Sequence, residues 1–219
     1  MHPWILGAGL CLLGATAQAA ASDCPRAGAP VTERFISADC ADCWAAAGSA
    51  AAPAAGWLFD WITPTPAGSE AALATAAPPE AQERALRAGG PSPVAAQMLT
   101  LRSALPSAVP KLRVLSGPAW NGYFGLQLEL SGRVPPGSSG WLALVELLPA
   151  GSEGSAIERQ LVRQVAGPLP LDSAKRPLSH LRALRWPESA QPTRLQARGW
   201  IEAPDGRLLA IASDRCPSR

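Results

Sequence analysis

The sequence predicts an α+β fold class, an α/β N-terminal half joined to an antiparallel, sandwich-like β-rich C-terminal half. Three observations predict it. Residues 31–47 read as a strand, a tight turn carrying Cys-x-x-Cys and the start of a helix. A second strand-like run at 56–62 and a helix-like run at 77–87 follow. From Lys111 onward, short stretches alternate apolar with polar residues between clusters of Gly, Pro and Ser, the period of half-buried strands.

Taken in order, residues 1–19 contain no Asp, Glu, Lys or Arg, and an apolar run from Trp4 to Gly14 ends in Ala17-Gln18-Ala19. This reads as a secretory signal peptide, although only His2 and the α-amino group can charge its start. The apolar run is short for a membrane-spanning helix, and an uncleaved anchor is the alternative. Leu10 and Asp23 precede Cys11 and Cys24, so neither cysteine follows the small residue a lipid-attachment site needs. A soluble periplasmic or secreted protein is expected, with no membrane insertion after cleavage. The expected domains are 20–108 and 109–219.

Processing would leave Cys24, Cys40, Cys43 and Cys216, an even set suited to an oxidising compartment. Three pairings are open. Proximity favours Cys40 with Cys43, leaving Cys24 and Cys216 as a structural disulfide across nearly the whole mature chain.

Val31, Phe35 and Ile36 make the first strand, and Asp39 is placed to cap a helix beginning at Cys40. Amides at a helix start stabilise a thiolate, so Cys40 is the expected nucleophile and Cys43, one turn on and further from solvent, the resolving sulfur. Glu33, Asp39 and Asp42 oppose this by placing negative charge nearby. The pair has two readings, thiol-disulfide exchange or a permanent structural disulfide.

In the second strand Trp57, Phe59 and Trp61 alternate with Leu58, Asp60 and Ile62, so both faces are apolar, as in a covered central strand. Residues 63–68 form a loop. The 77–87 helix has Pro79 in its first turn, Glu80 and Glu83 near its start, Arg84 and Arg87 near its end, and Gly89-Gly90 to stop it. Its charges read as a solvated face. Residues 94–105 read as another short helix.

In the second half, 126–130 and 141–146 are expected to pair as a hairpin across the Pro135-to-Gly140 loop, with further strands at 157–165 and 180–186. A second hairpin joins 193–202 to 207–212 around Ala203-Pro204-Asp205-Gly206. Tryptophans spread over strands are more often core or interface residues, and Trp200, on the polar side of its strand, is the one to test for exposure and partner contact.

A strand feeding Cys-x-x-Cys at a helix start resembles the thioredoxin superfamily. Glu33, Phe35, Ser37, Cys40 and Cys43 also resemble a secreted bacterial family catalogued as domain-of-unknown-function twelve twenty-three. Phe59-Asp60-Trp61, Gln82-Glu83-Arg84 and residues 207–212 extend that likeness. The resemblance implies a thioredoxin-like first half, thiol-disulfide chemistry at Cys40 and Cys43, and a cis-proline loop facing them. Pro93 is the candidate for that loop, with Pro64 second.

No cofactor is expected. The four cysteines with His180 could together ligate zinc, but only one Cys-x-x-Cys knuckle exists and export favours disulfides. His180 stands alone, without a Gly-x-Ser-x-Gly elbow or paired carboxylates. The chain has 19 Lys and Arg against 17 Asp and Glu, a net charge of +2, and the cations are scattered. No basic stripe for nucleic acid or anionic lipid is visible in the sequence. The expected partners are protein thiols or another envelope protein.

Overall fold

The computed structural model describes residues 24–25, 28–46, 56–91, 95–108, 110–172 and 177–216. Two sheets carry the fold. Among the described residues ten strands run in chain order: β1 (Pro30–Ser37), β2 (Trp57–Thr63), β3 (Met98–Ala104), β4 (Lys111–Ser116), β5 (Tyr123–Ser131), β6 (Ser139–Leu148), β7 (Arg159–Pro170), β8 (Leu178–Arg185), β9 (Leu195–Glu202) and β10 (Leu208–Ser213). The α-helices among the described residues are α1 (Ala41–Ala45) and α2 (Glu80–Arg87).

The large sheet has the order β10-β9-β6-β7-β2-β1-β3, and the small one β4-β5-β8. This overturns the expected thioredoxin-like α/β half joined to a separate β-sandwich. The chain is mostly β, and one mixed sheet runs through the expected boundary at 108/109. β2 pairs in parallel with β7, Asp60 opposite Leu161, and with β1 on its other side. A pairing between strands a hundred residues apart leaves no local trace in either one's sequence.

Two further expectations change. Residues 94–105 contain β3, which runs antiparallel to β1 with Leu101 opposite Glu33. Leu99 and Leu101 alternate toward the core, so pairing with β1 overrides the local helical preference. β5 and β6 do not form a hairpin with each other: β5 lies in the small sheet between β4 and β8, while β6 joins β7 and β9. The hairpin of β9 and β10 is present.

β2 is buried along its whole length, as its two apolar faces require. One face of the large sheet carries the aromatic side chains Phe35, Trp57, Phe59, Trp61, Trp141 and Trp200, packed against Ala81 and Ala85 of α2. On the other face the small sheet covers β6, β9 and β10 through Leu126, Leu128, Leu130, Leu142 and Ile201. Beside it, Ile36, Ile62, Leu148 and Leu161 pack under Trp44 of α1. Cys24 and Cys216 form a disulfide spanning 192 positions.

Trp200 is a core residue rather than an exposed one. It is 2% exposed and stacks on Trp141 at 6.1 Å between ring centres. Every residue of β9 is buried, so its polar side faces the interior, where Arg198 lies over the rings of Trp57 and Phe59.

Candidate functional site

The cysteine pair sits where β1 ends and the chain turns toward β2. Ala38 donates its amide to Thr63 O and accepts from Leu73 N, and Cys40 N bonds Ser37 O, which fixes the turn between the two parallel strands. Cys40 and Cys43 are joined as a disulfide, with Cα atoms 5.2 Å apart.

Cys40 itself caps α1. Its Sγ accepts the Cys43 amide at 3.3 Å, and the helix runs only five residues, to Ala45. The cap expected at Asp39 is used differently: its carboxylate accepts the Ala96 amide at 3.0 Å. Ser37 bonds Gln97 through both its backbone and its hydroxyl. These contacts hold the segment leading into β3 against the cysteine turn. Pro93, the cis-proline candidate, lies outside the described residues. Pro64 is described and its peptide bond is not cis; the cis bond among the described residues is Gly167–Pro168, in β7.

The exposure of the two sulfur residues is the reverse of the sequence expectation. Cys40 is 7% exposed, whereas Cys43 is partly exposed between the open residues Asp42 and Ala45. Capping a short helix turns the Cys40 side chain inward, beneath its own first turn. Cys43, expected below, is the more exposed of the two although it packs against the Trp44 cluster.

A buried ionic group anchors the helix from beneath. Arg159 donates to the carbonyls of Trp44 at 2.6 Å and Cys43 at 3.3 Å, and its guanidinium lies 4.9 Å from the Trp44 ring centre. Asp60 takes Arg34 in a bidentate pair at 2.5 and 2.8 Å and the amide of Gln160 at 2.7 Å. Arg159 stands 3.6 Å from the same carboxylate. Burial pulls the Arg159 guanidinium below its ordinary value; Asp60 opposes this and Arg34 adds to it. Trp44 donates its indole N–H to Glu153 O at 2.7 Å, tying α1 to the loop before β7. Beside the turn, a hollow of about 300 Å³ is lined by Ala38, Pro64, Thr65, Gly68 and Ala74.

Comparison with protein-family models, with curated proteins and with solved structures finds no match. The site therefore rests on its own geometry.

The chemistry of that geometry is limited and specific. All four cysteines of residues 24–216 are taken up in two disulfides. Among the described residues no cluster of three or more His, Cys, Asp and Glu side chains could hold a metal. His180 lies on β8, with Nε2 2.8 Å from Pro170 O, remote from the cysteines in the fold. Among the described residues no helix is long and apolar enough to cross a membrane.

Sequence reasoning missed a second buried cluster. Arg84 of α2 is 2% exposed. It donates to Glu33 at 2.5 and 2.8 Å, to Glu202 and to Gly206 O at 3.0 Å. Burial acts to lower its pKa, but the charges and hydrogen bonds of Glu33 and Glu202 outweigh this and hold the guanidinium above its ordinary value. Of the charges expected on a solvated helix face, Glu83 is exposed, whereas Arg84 is an interior contact. The helical spacing of Arg84 from Ala81 and Ala85 put it on the buried side, a signal the charge pattern masked.

Proposed function

We propose that the chain is an exported protein, periplasmic or secreted, whose Cys40–Cys43 disulfide exchanges with protein thiols. The observation that carries this reading is the asymmetry of the pair, with Cys43 partly exposed and Cys40 capping α1 from within. Two disulfides in one chain suit an oxidising compartment outside the cytoplasm.

In the forward direction a substrate thiolate attacks Cys43 Sγ along the axis of the disulfide. The bond to Cys40 breaks, and Cys40 leaves as a thiolate that keeps the Cys43 amide as a hydrogen-bond donor. Such stabilisation makes it the better leaving group. A second substrate thiolate then attacks the substrate sulfur of the mixed disulfide and releases Cys43. Two electrons pass from the substrate dithiol to the pair, and the two substrate protons end on Cys40 and Cys43. The hollow beside Ala38 offers room for a substrate side chain next to the turn.

A second reading is favoured by the 7% exposure of Cys40: an inert disulfide that fixes the turn in a non-catalytic binding or structural protein. Oxidation of a dithiol peptide by the full chain separates the two. Exchange predicts stoichiometric oxidation of the peptide that is lost in Cys40→Ser/Cys43→Ser. An inert pair leaves the peptide reduced.

A further inference from the structure

The large exposed apolar side chains of the small sheet gather on one face. Trp120 and Tyr123 pair across the Asn121-Gly122 turn through two backbone bonds of 2.9 Å, and Tyr123 stands opposite Arg185 of β8. Residues paired in this way project from the same side of a sheet. Trp120, Tyr123 and Arg185 therefore form one row across the solvent face. Asn121 at φ 53 and Gly122 at φ 83 are the left-handed residues that such a tight turn requires.

Two positions along, Gly125 faces Ala183, and beyond them Gln127 faces Leu181. A Cβ at Gly125 would meet nothing, so the aromatic row and Leu181 stand above a low floor. Trp120 is 80% exposed, Tyr123 47% and Leu181 67%. The segment leading to the tip, 116–121, is exposed throughout.

Cations that are scattered in the sequence meet here. Lys111 and Arg113 of β4 and Arg185 of β8 are exposed on it, Lys111 and Arg113 toward the end away from Trp120, whereas Arg182, opposite the buried Leu126, projects from the other side of the sheet. The opposing charges are Glu129, 3.6 Å from Arg113, and Glu188, beyond the end of β8. Gln127, the amide at the centre of the face, already donates to Glu129 and Ser179, which leaves few directed polar groups for sugar hydroxyls. Exposed aromatic rings beside Lys and Arg, without a directed polar lining, match the chemistry of a bilayer interface.

We infer that the solvent face of the small sheet, with Trp120 and Tyr123 at its tip, Arg185 beside them and Lys111 and Arg113 farther along it, is a docking surface for an anionic lipid bilayer. The protein adsorbs through this face and does not span. The inference is independent of the cysteine chemistry, and its test reads membrane binding alone.

The test is partition of the full chain onto phosphatidylcholine vesicles with and without about 30 mol % phosphatidylglycerol, followed by flotation. Three chains are compared: wild type, Trp120→Ser/Tyr123→Ser, and Arg113→Glu/Arg185→Glu. Residues 1–19 are common to all, so any binding through them cancels. Each variant pair is expected to weaken partition onto anionic vesicles about tenfold, and salt at about 0.5 M to erase the advantage of the anionic lipid. All substituted positions are exposed, and an unchanged far-ultraviolet spectrum and urea midpoint verify the fold of each variant. Equal binding by the three folded chains would overturn the inference. So would a wild type that binds neutral vesicles as tightly as anionic ones, or that binds neither.

Discussion

Arg84 and Glu202, 118 positions apart in the chain, form an ion pair sealed between α2 and β9. Arg84 also holds Glu33 of β1, so one guanidinium joins strands from both halves of the sequence. The turn after β9 is shaped around this contact. Gly206, at φ 83, offers its carbonyl to Arg84, and a Cβ there would lie 1.8 Å from Arg87 O.

Removing this cation leaves two carboxylates buried without it. Arg84→Met is expected to cost about 3–5 kcal/mol, measured as a lower urea midpoint. Adding Glu33→Gln and Glu202→Gln to the same chain is expected to recover most of the loss. A triple variant no more stable than the single one would show that packing of the helix, not charge, dominates there.

Cys24 and Cys216 close a loop spanning 192 positions. Constraint of the unfolded chain by so long a loop is worth about 5 kcal/mol, so Cys24→Ser/Cys216→Ser should unfold at far lower urea concentration. Equilibrium denaturation under non-reducing conditions measures it, and a midpoint unchanged from wild type would contradict the account.

The two elements read most directly from the sequence were those with unambiguous local signals. Alternation of Trp57, Phe59 and Trp61 with Leu58 and Ile62 marked β2 as central, and Pro204-Asp205-Gly206 marked the turn between β9 and β10. The register of β2 on β7 has no such signal, which is why the large sheet was divided into two halves. Polar alternation also misled: Arg34, Arg84, Arg198 and Glu202 look solvent-facing in sequence, but each finds an oppositely charged or carbonyl partner inside. At the cysteines the spacing located the turn, whereas the exposed sulfur depends on which residue caps α1, and the competing use of Asp39 by Ala96 is a tertiary contact.

The tryptophans make a direct optical test. Trp120 is 80% exposed and Trp200 2%. Trp120→Phe should remove a large part of the fluorescence quenched by iodide while leaving stability unchanged. Trp200→Ala, which opens the stacked aromatic cluster, should cost about 3–5 kcal/mol.

Asp205 and Arg207 form an exposed pair at 2.8 Å, and the Arg207 side-chain and backbone hydrogen bonds hold the Asp205 carboxyl below its ordinary value. A depressed carboxylate stabilises the fold above its unfolded pKa, and the contribution is lost as the pH falls through the folded value. Titration by carboxyl-carbon NMR should show Asp205 ionising below its ordinary range, and moving up toward that range in Arg207→Ala, which removes the side-chain bond and keeps the backbone one.

The proposed exchange at Cys40–Cys43 is tested most directly by equilibrating the full chain in graded mixtures of reduced and oxidised glutathione, trapping thiols by alkylation and mapping them by mass spectrometry. Near-ultraviolet circular dichroism reports the fold in the same samples. The account predicts that Cys40 and Cys43 are labelled while Cys24 and Cys216 remain joined and the spectrum stays native, with glutathione found on Cys43. Simultaneous opening of both disulfides, only where the native spectrum is lost, would contradict it.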